Sequence, residues 1–176
     1  NKQAIVAELF GRYEARVDAF LRLPLARAMQ VEDKAIYLEA LLGAMWDYRF
    51  LHRDLEGLLD ADVELARRYE GFAARCLQHA RAIYRGFVEV GILEMDDEQT
   101  EALALNAWII VTSWIRFLGT VGAGAGQLDP VQMRRGIYQV LALESGFVAT
   151  EAREAVAALR GQYFVALESL LPTADA

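Results

Sequence analysis

Hydrophobic side chains recur along this chain at steps of three and four, the spacing of one face of an α-helix. Ile5, Leu9, Tyr13, Val17 and Phe20 form the first stripe, with Glu8, Arg12, Asp18 and Arg22 opposite. Asn1 can accept a hydrogen bond from the free N–H groups of a first turn, which predicts a helix from residue 1. Asp33 is placed to cap a second helix through Ile36, Leu41 and Met45 to about Tyr48, and a short segment with Leu55, Leu58 and Leu59 follows. The clearest stripe is Leu65, Tyr69, Phe72, Cys76, His79, Ile83, Phe87 and Val90; Arg68, Arg75, Gln78 and Arg85 face away, and Gly91 can end the helix left-handed. Asp96 or Asp97 then opens a helix through Leu118 that is apolar on nearly every side, as expected of a helix surrounded by others.

Residues 119–128, rich in Gly and Ala, predict a flexible linker. A helix opens at Pro130 after Asp129 and runs to about Phe147, with a break near Gly146. The last helix follows Thr150, carries Val156, Leu159, Tyr163, Leu167 and Leu170, and is closed by Pro172; Pro24 ends the first. No segment alternates with period two between turns, so the expected fold is all-α.

The 176 residues, 55% of them hydrophobic, support a full core in a single domain spanning 1–176. The formal charge of −7, with Lys and Arg outnumbered 18 to 25, argues against this chain gripping nucleic acid. A single cysteine, Cys76, excludes an internal disulfide and fits the cytoplasm. The amphipathic start is unlike a signal peptide. The longest apolar stretch, Ala102 to Ile115, falls short of the roughly 20 residues of a membrane span and is interrupted by Asn106, Thr112 and Ser113, so no membrane partner is expected.

Catalytic and metal motifs fail on spacing. A di-iron bundle needs Glu-x-x-His, but Arg49 and Cys76 stand three residues before His52 and His79. Cys76 and His79, one turn apart, supply two metal ligands of the usual four and share an apolar stripe, which favours packing over ligation. Asp60, Asp62 and Glu64 begin like a calcium loop, but Leu65 occupies the position that needs Gly. Gly122, Gly124 and Gly126 lack the strand, Lys and Ser/Thr of a phosphate cradle. No spacing supports a triad of Ser113, His79 and an acid. Neither an enzyme nor a cofactor or metal is expected.

Asn106, Ile109, Ser113 and Arg116 share one face of the most apolar helix. A buried amide or hydroxyl without a partner costs about 1–3 kcal/mol, so these groups require protein, water or a ligand. An interhelical hydrogen bond and a mostly apolar cavity that orients a small molecule both satisfy them. Trp46, Phe50, Tyr84, Trp108 and Trp114 offer aromatic walls for either.

Two stretches resemble a known family. Asn1-Lys2-Gln3-Ala4-Ile5-Val6 is similar to the point where TetR-family transcriptional regulators leave their DNA-binding domain, at "NK-x-x-[IL]". Met45-Trp46-Asp47-Tyr48-Arg49-Phe50-Leu51-His52-Arg53-Asp54-Leu55 resembles a segment of the effector domain in one branch, and the order of helices is similar throughout. The resemblance implies that residues 1–22 form the helix connecting to a DNA-binding domain absent from this sequence. It implies that residues 130–171 pair with a second copy in a four-helix bundle, and that a small apolar effector enters the core, most simply to release a repressor from operator DNA.

On that reading, Phe72, Cys76, His79 and Ile83 are expected to meet Asn106, Ile109 and Ser113 around the effector, with Trp46 and Phe50 closing one end. Leu159, Tyr163, Leu167 and Leu170 are expected at the dimer interface. Gly136, Ala142, Ala155, Ala158, Gly161 and Ala166 would let the paired helices approach closely. The alternatives are a helical scaffold for a protein partner, and an enzyme with its substrate in the same cavity.

Overall fold

The computed structural model describes residues 2–21, 27–121 and 129–170. Asn1, Arg22, Pro24, the glycines at 122, 124 and 126, and Pro172 lie outside them, and so do the cap and breaks expected there and residues 122–128 of the expected linker. Eight α-helices occur among the described residues: α1 Lys2–Leu21, α2 Asp33–Asp47, α3 Arg49–Arg53, α4 Leu55–Ala61, α5 Val63–Glu89, α6 Asp97–Val121, α7 Pro130–Leu143 and α8 Arg153–Gly161. No strand forms among them; Leu93 and Val148 make an isolated antiparallel bridge.

Local chemistry fixes several helix ends. Asp62 accepts from the N–H groups of Glu64 and Leu65, both at 3.1 Å, and starts α5. Before α6, Asp96 accepts from Gln99 N–H at 2.8 Å while the Gln99 side chain accepts from Asp96 N–H at 3.0 Å, a reciprocal capping box. Asp129 accepts from Val131 N–H ahead of Pro130. Gly91 ends α5 at φ +74°, a conformation open to glycine at little cost. Asp33 departs from expectation. Its carboxylate is taken by both ends of the Arg27 guanidinium, at 2.7 and 2.8 Å, and by Gln30 N–H, so it orders the entry to α2 and caps nothing.

α6 packs against α3, α5 and α7; α2 lies between α1 and α7, and α1 also crosses α5. The buried stripe of α1 is Phe10, Tyr13, Val17 and Leu21: Tyr13 and Val17 are as predicted, Phe10 and Leu21 replace Leu9 and Phe20, and Ile5 is exposed. The cause is an aromatic cluster: the Phe10, Tyr13 and Trp108 rings stand 5.7, 5.5 and 6.4 Å from Phe72. Glu14 and Asp18 clamp the other side through Arg68 and Arg75 of α5.

Three expectations are corrected. First, α6 is not surrounded: it buries Leu103, Ala107, Val111, Trp114 and Leu118 but exposes Leu105, Asn106, Ile109 and Phe117. With 25 residues, it is long and apolar enough to cross a membrane by length and composition, and Gly119, taken as linker, lies inside it. Second, α7 stops at Leu143, because the segment after it turns to pair with residues 92–94. Glu94 N–H donates to Phe147 C=O at 2.8 Å and Ala149 N–H to Ile92 C=O at 3.1 Å.

Third, the last helix ends at Gly161. Tyr163, Leu167 and Leu170 therefore follow α8 and share no helical stripe with Leu159. Glycine weakens helix continuation there, and Arg135 Nε–H, donating to Val165 C=O at 2.8 Å, holds the following segment on α7.

Candidate ligand cavity

One cavity opens in the body of the protein, bounded by the C-terminal end of α1, α2, α5, α6 and the end of α7. Its volume is about 80 Å³, below the roughly 300–1,000 Å³ of sites for drug-sized molecules, so a guest of that size needs the walls to part. α5 contributes Cys76, Ala80, Ile83, Tyr84 and Phe87 at helical spacing, and α6 faces them with Ala107, Trp108 and Val111. Tyr37, Leu38 and Leu41 of α2 and Leu21 of α1 complete the apolar walls.

Two charges interrupt these walls. Lys34, in the first turn of α2, donates to a Glu144 carboxylate oxygen at 2.5 Å, 110 residues away; each side chain is only 2% exposed. The Lys34 ammonium also stands 4.0 Å from the centroid of the Phe87 ring. Burial pushes the Lys34 ammonium down and the Glu144 carboxyl up from their ordinary pKa values, and each partly restores the charged form of the other.

The cavity gathers only part of the expected site. Cys76 and Ile83 line it. Burial drives the Cys76 thiol up to about 12, so it serves as an apolar wall and not as a thiolate. Phe72 lies in the aromatic cluster with Trp108, outside the cavity walls. His79 is half-buried and away from them, so it does not converge with Cys76 on a common guest.

Asn106 and Ile109 are exposed because they lie on the side of α6 opposite Ala107 and Val111. The amide of Asn106 meets solvent, and the cost of an unpaired buried group does not arise. Ser113 and Arg116 border a separate polar cleft with His52, and Arg116 pairs there with Glu56 at 2.5 Å. Trp46 borders a groove between α2 and α7, under the Arg49 guanidinium, and Phe50 is exposed. Neither closes the cavity.

Lys34 and Glu144 were missed, although a signal existed. Lys34, Tyr37, Leu38 and Leu41 keep helical spacing, as do Met133, Ile137, Val140, Leu141 and Glu144, so Lys34 sits on the buried stripe of α2 and Glu144, just past Leu143, continues that of α7. Of the residues expected at a dimer interface, Leu159, Tyr163 and Leu170 are buried in the chain's own core and Leu167 is exposed. The Tyr163 hydroxyl donates to Glu39 at 2.6 Å, which ties it to α2.

The described residues thus form an all-α body with an apolar cavity beneath a crossing N-terminal helix. The family model described as TetR, bacterial transcriptional repressor, matches residues 12–156, and the chain belongs to the TetR family of transcriptional regulators. A solved structure, a TetR-family transcriptional regulator from Marinobacter aquaeolei VT8, is similar at 38% identity and a TM-score of 0.86, over 94% of this chain and 78% of that one. No curated protein matches the chain.

Proposed function

We propose that this chain is the effector-sensing and dimerising part of a TetR-family repressor, and that a small, largely apolar molecule occupies the cavity between α2, α5 and α6. The observation that carries this reading is the cavity itself, apolar around one buried ion pair, in a chain of a regulator family. Operator contact is assigned to a DNA-binding domain joined ahead of α1, because a formal charge of −7 suits these helices poorly to phosphates. The protein acts in the cytoplasm and performs no catalytic step.

α1 is the connecting helix of this mechanism. Leu21, near its end, is a cavity wall, and Glu14 and Asp18 bind it to α5, so displacement of α5 reaches α1 directly. The effector lowers operator affinity only if it binds one arrangement of α1 better than the other.

The second copy is proposed to dock on the outer face of α6, where Leu105, Ile109 and Phe117 are exposed, with Leu167 at its edge. Trp114 Nε1–H donates to Gln132 C=O at 3.0 Å and the Gln132 side chain to Ser169 C=O at 2.9 Å, which brings the Leu167–Ser169 turn to the start of α7 beside α6. The same patch would serve a protein partner if this were a scaffold.

Native mass spectrometry of the purified protein tests the proposal. A dimer that binds N-phenyl-1-naphthylamine, or carries a co-purified small molecule, supports it. A monomer that takes up neither ends it.

A further inference from the structure

We propose that the effector is an uncharged amphiphile whose one polar head both accepts and donates a hydrogen bond, as a hydroxyl or a carboxamide does, and that Lys34 and Glu144 together hold that head. This rests on the cavity being the effector site.

Lys34 and Glu144 each keep unused bonding capacity. An ammonium has three N–H donors and a carboxylate about four acceptor positions. Lys34 gives one N–H to Glu144 Oε2 and faces the Phe87 ring; among the described residues no second oxygen accepts from it. Glu144 receives Lys34 alone, and no other donor among the described residues reaches its carboxylate. Both side chains line the cavity, which therefore presents at least one spare donor beside spare acceptor positions.

Fold stability does not require this arrangement, since apolar residues of similar volume replace a buried ion pair at little or no cost. The pair is electrically balanced. A cationic head would place a second positive charge beside Lys34, and an anionic head a second negative charge beside Glu144, each without a counter-charge in an apolar enclosure. A head with donor and acceptor on one small group leaves the balance intact. The remaining walls recognise only an apolar skeleton.

Displacement of N-phenyl-1-naphthylamine by four probes with the same ten-carbon chain tests this: decan-1-ol, 1-methoxydecane, decane and decyltrimethylammonium. Decan-1-ol is expected to compete about tenfold or more better than decane. The ether, which only accepts, falls between them, and the cation is weakest. Lys34→Met combined with Glu144→Leu, which leaves no unpaired charge, is expected to bind the dye still and to level the alcohol with the alkane. Equal competition by alcohol and alkane in the unaltered protein, or a strongest response to the cation, overturns the head-group assignment while leaving the cavity reading intact. Failure of the dye to bind at all, or of every probe to displace it, removes both.

Discussion

A Cβ on Gly136 would stand 2.9 Å from Cδ1 of Trp114 and 3.1 Å from its Cγ and Nε1. The ring is pinned at that same edge, because Nε1–H donates to Gln132 C=O at 3.0 Å. α7 therefore approaches α6 as closely as it does because position 136 has no side chain. The small residue expected to serve contact between two copies serves contact within one.

Gly136→Ala is accordingly expected to destabilise the protein by about 1–3 kcal/mol, the usual cost of overpacking. That outcome opposes the gain of about 1 kcal/mol that alanine brings to an exposed helix position. Urea denaturation followed by tryptophan fluorescence measures the difference. A more stable variant would show that the ring yields freely.

The Lys34–Glu144 pair predicts an asymmetry. Lys34→Met alone strands a buried carboxylate and should cost about 3–5 kcal/mol near pH 8, whereas Lys34→Met with Glu144→Leu should stay close to the unaltered protein. Burial already raises the Glu144 carboxyl. Without its cation it protonates more readily, so the penalty of the single variant should shrink as pH falls and the neutral acid forms. Denaturation of the three proteins at pH 8 and pH 5 checks both statements.

The helices were legible because their signals are local: the α5 stripe, Pro130 and Gly91 each act within a turn or two of themselves. The cavity was only half legible. Cys76 and Ile83 lie on a stripe that must face inward somewhere, and they do line it. Asn106 and Ile109 were misplaced because a face that carries Asn106, Ser113 and Arg116 reads equally as a solvated side or as a polar cavity lining; the choice comes from what α5 and α7 offer the opposite side. The pairing of Lys34 with Glu144 spans 110 positions, and no local pattern encodes a partner at that distance. The end of α8 was misjudged for a related reason. The segment after Gly161 obeys Arg135 and Glu39, on α7 and α2, rather than its own helical spacing.

His52 predicts a pH dependence. Its ring meets Tyr13 edge-on at 5.1 Å, and neither ring nitrogen has a hydrogen-bond partner among the described residues. Burial lowers its pKa from 6.5 to about 4. Above pH 6.5 the ring is neutral in both folded and unfolded chains, and this contribution to stability is fully present. As pH falls from 6.5 towards 4 only the unfolded chain takes up the proton, and stability is lost, on the order of 3 kcal/mol in all. Other groups titrate in the same window, so the comparison is with His52→Phe, which keeps the ring contact. The stability difference between the two proteins should change in favour of the variant by most of that amount between pH 7 and pH 4.5. Parallel pH profiles would show that His52 is hydrated in the folded state.

The proposed contact between copies separates two residues that the sequence placed on either side of the question. Ile109, read as a ligand residue, is 52% exposed on the outer face of α6; Tyr163, read as an interface residue, is 5% exposed and bonded to Glu39. Removing the hydroxyl in Tyr163→Phe should lower stability by about 1 kcal/mol, the worth of an ordinary hydrogen bond, and leave the dimer dissociation constant unchanged. Ile109→Asp places a charge where two apolar faces would meet. It should weaken the dimer at least about tenfold while the isolated subunit melts at the same temperature, because at 109 an aspartate faces water in the monomer. Sedimentation equilibrium gives the association constants and calorimetry the melting temperatures. If Tyr163→Phe dissociates the dimer and Ile109→Asp does not, the second copy docks on the C-terminal segment and the outer face of α6 is left for another partner.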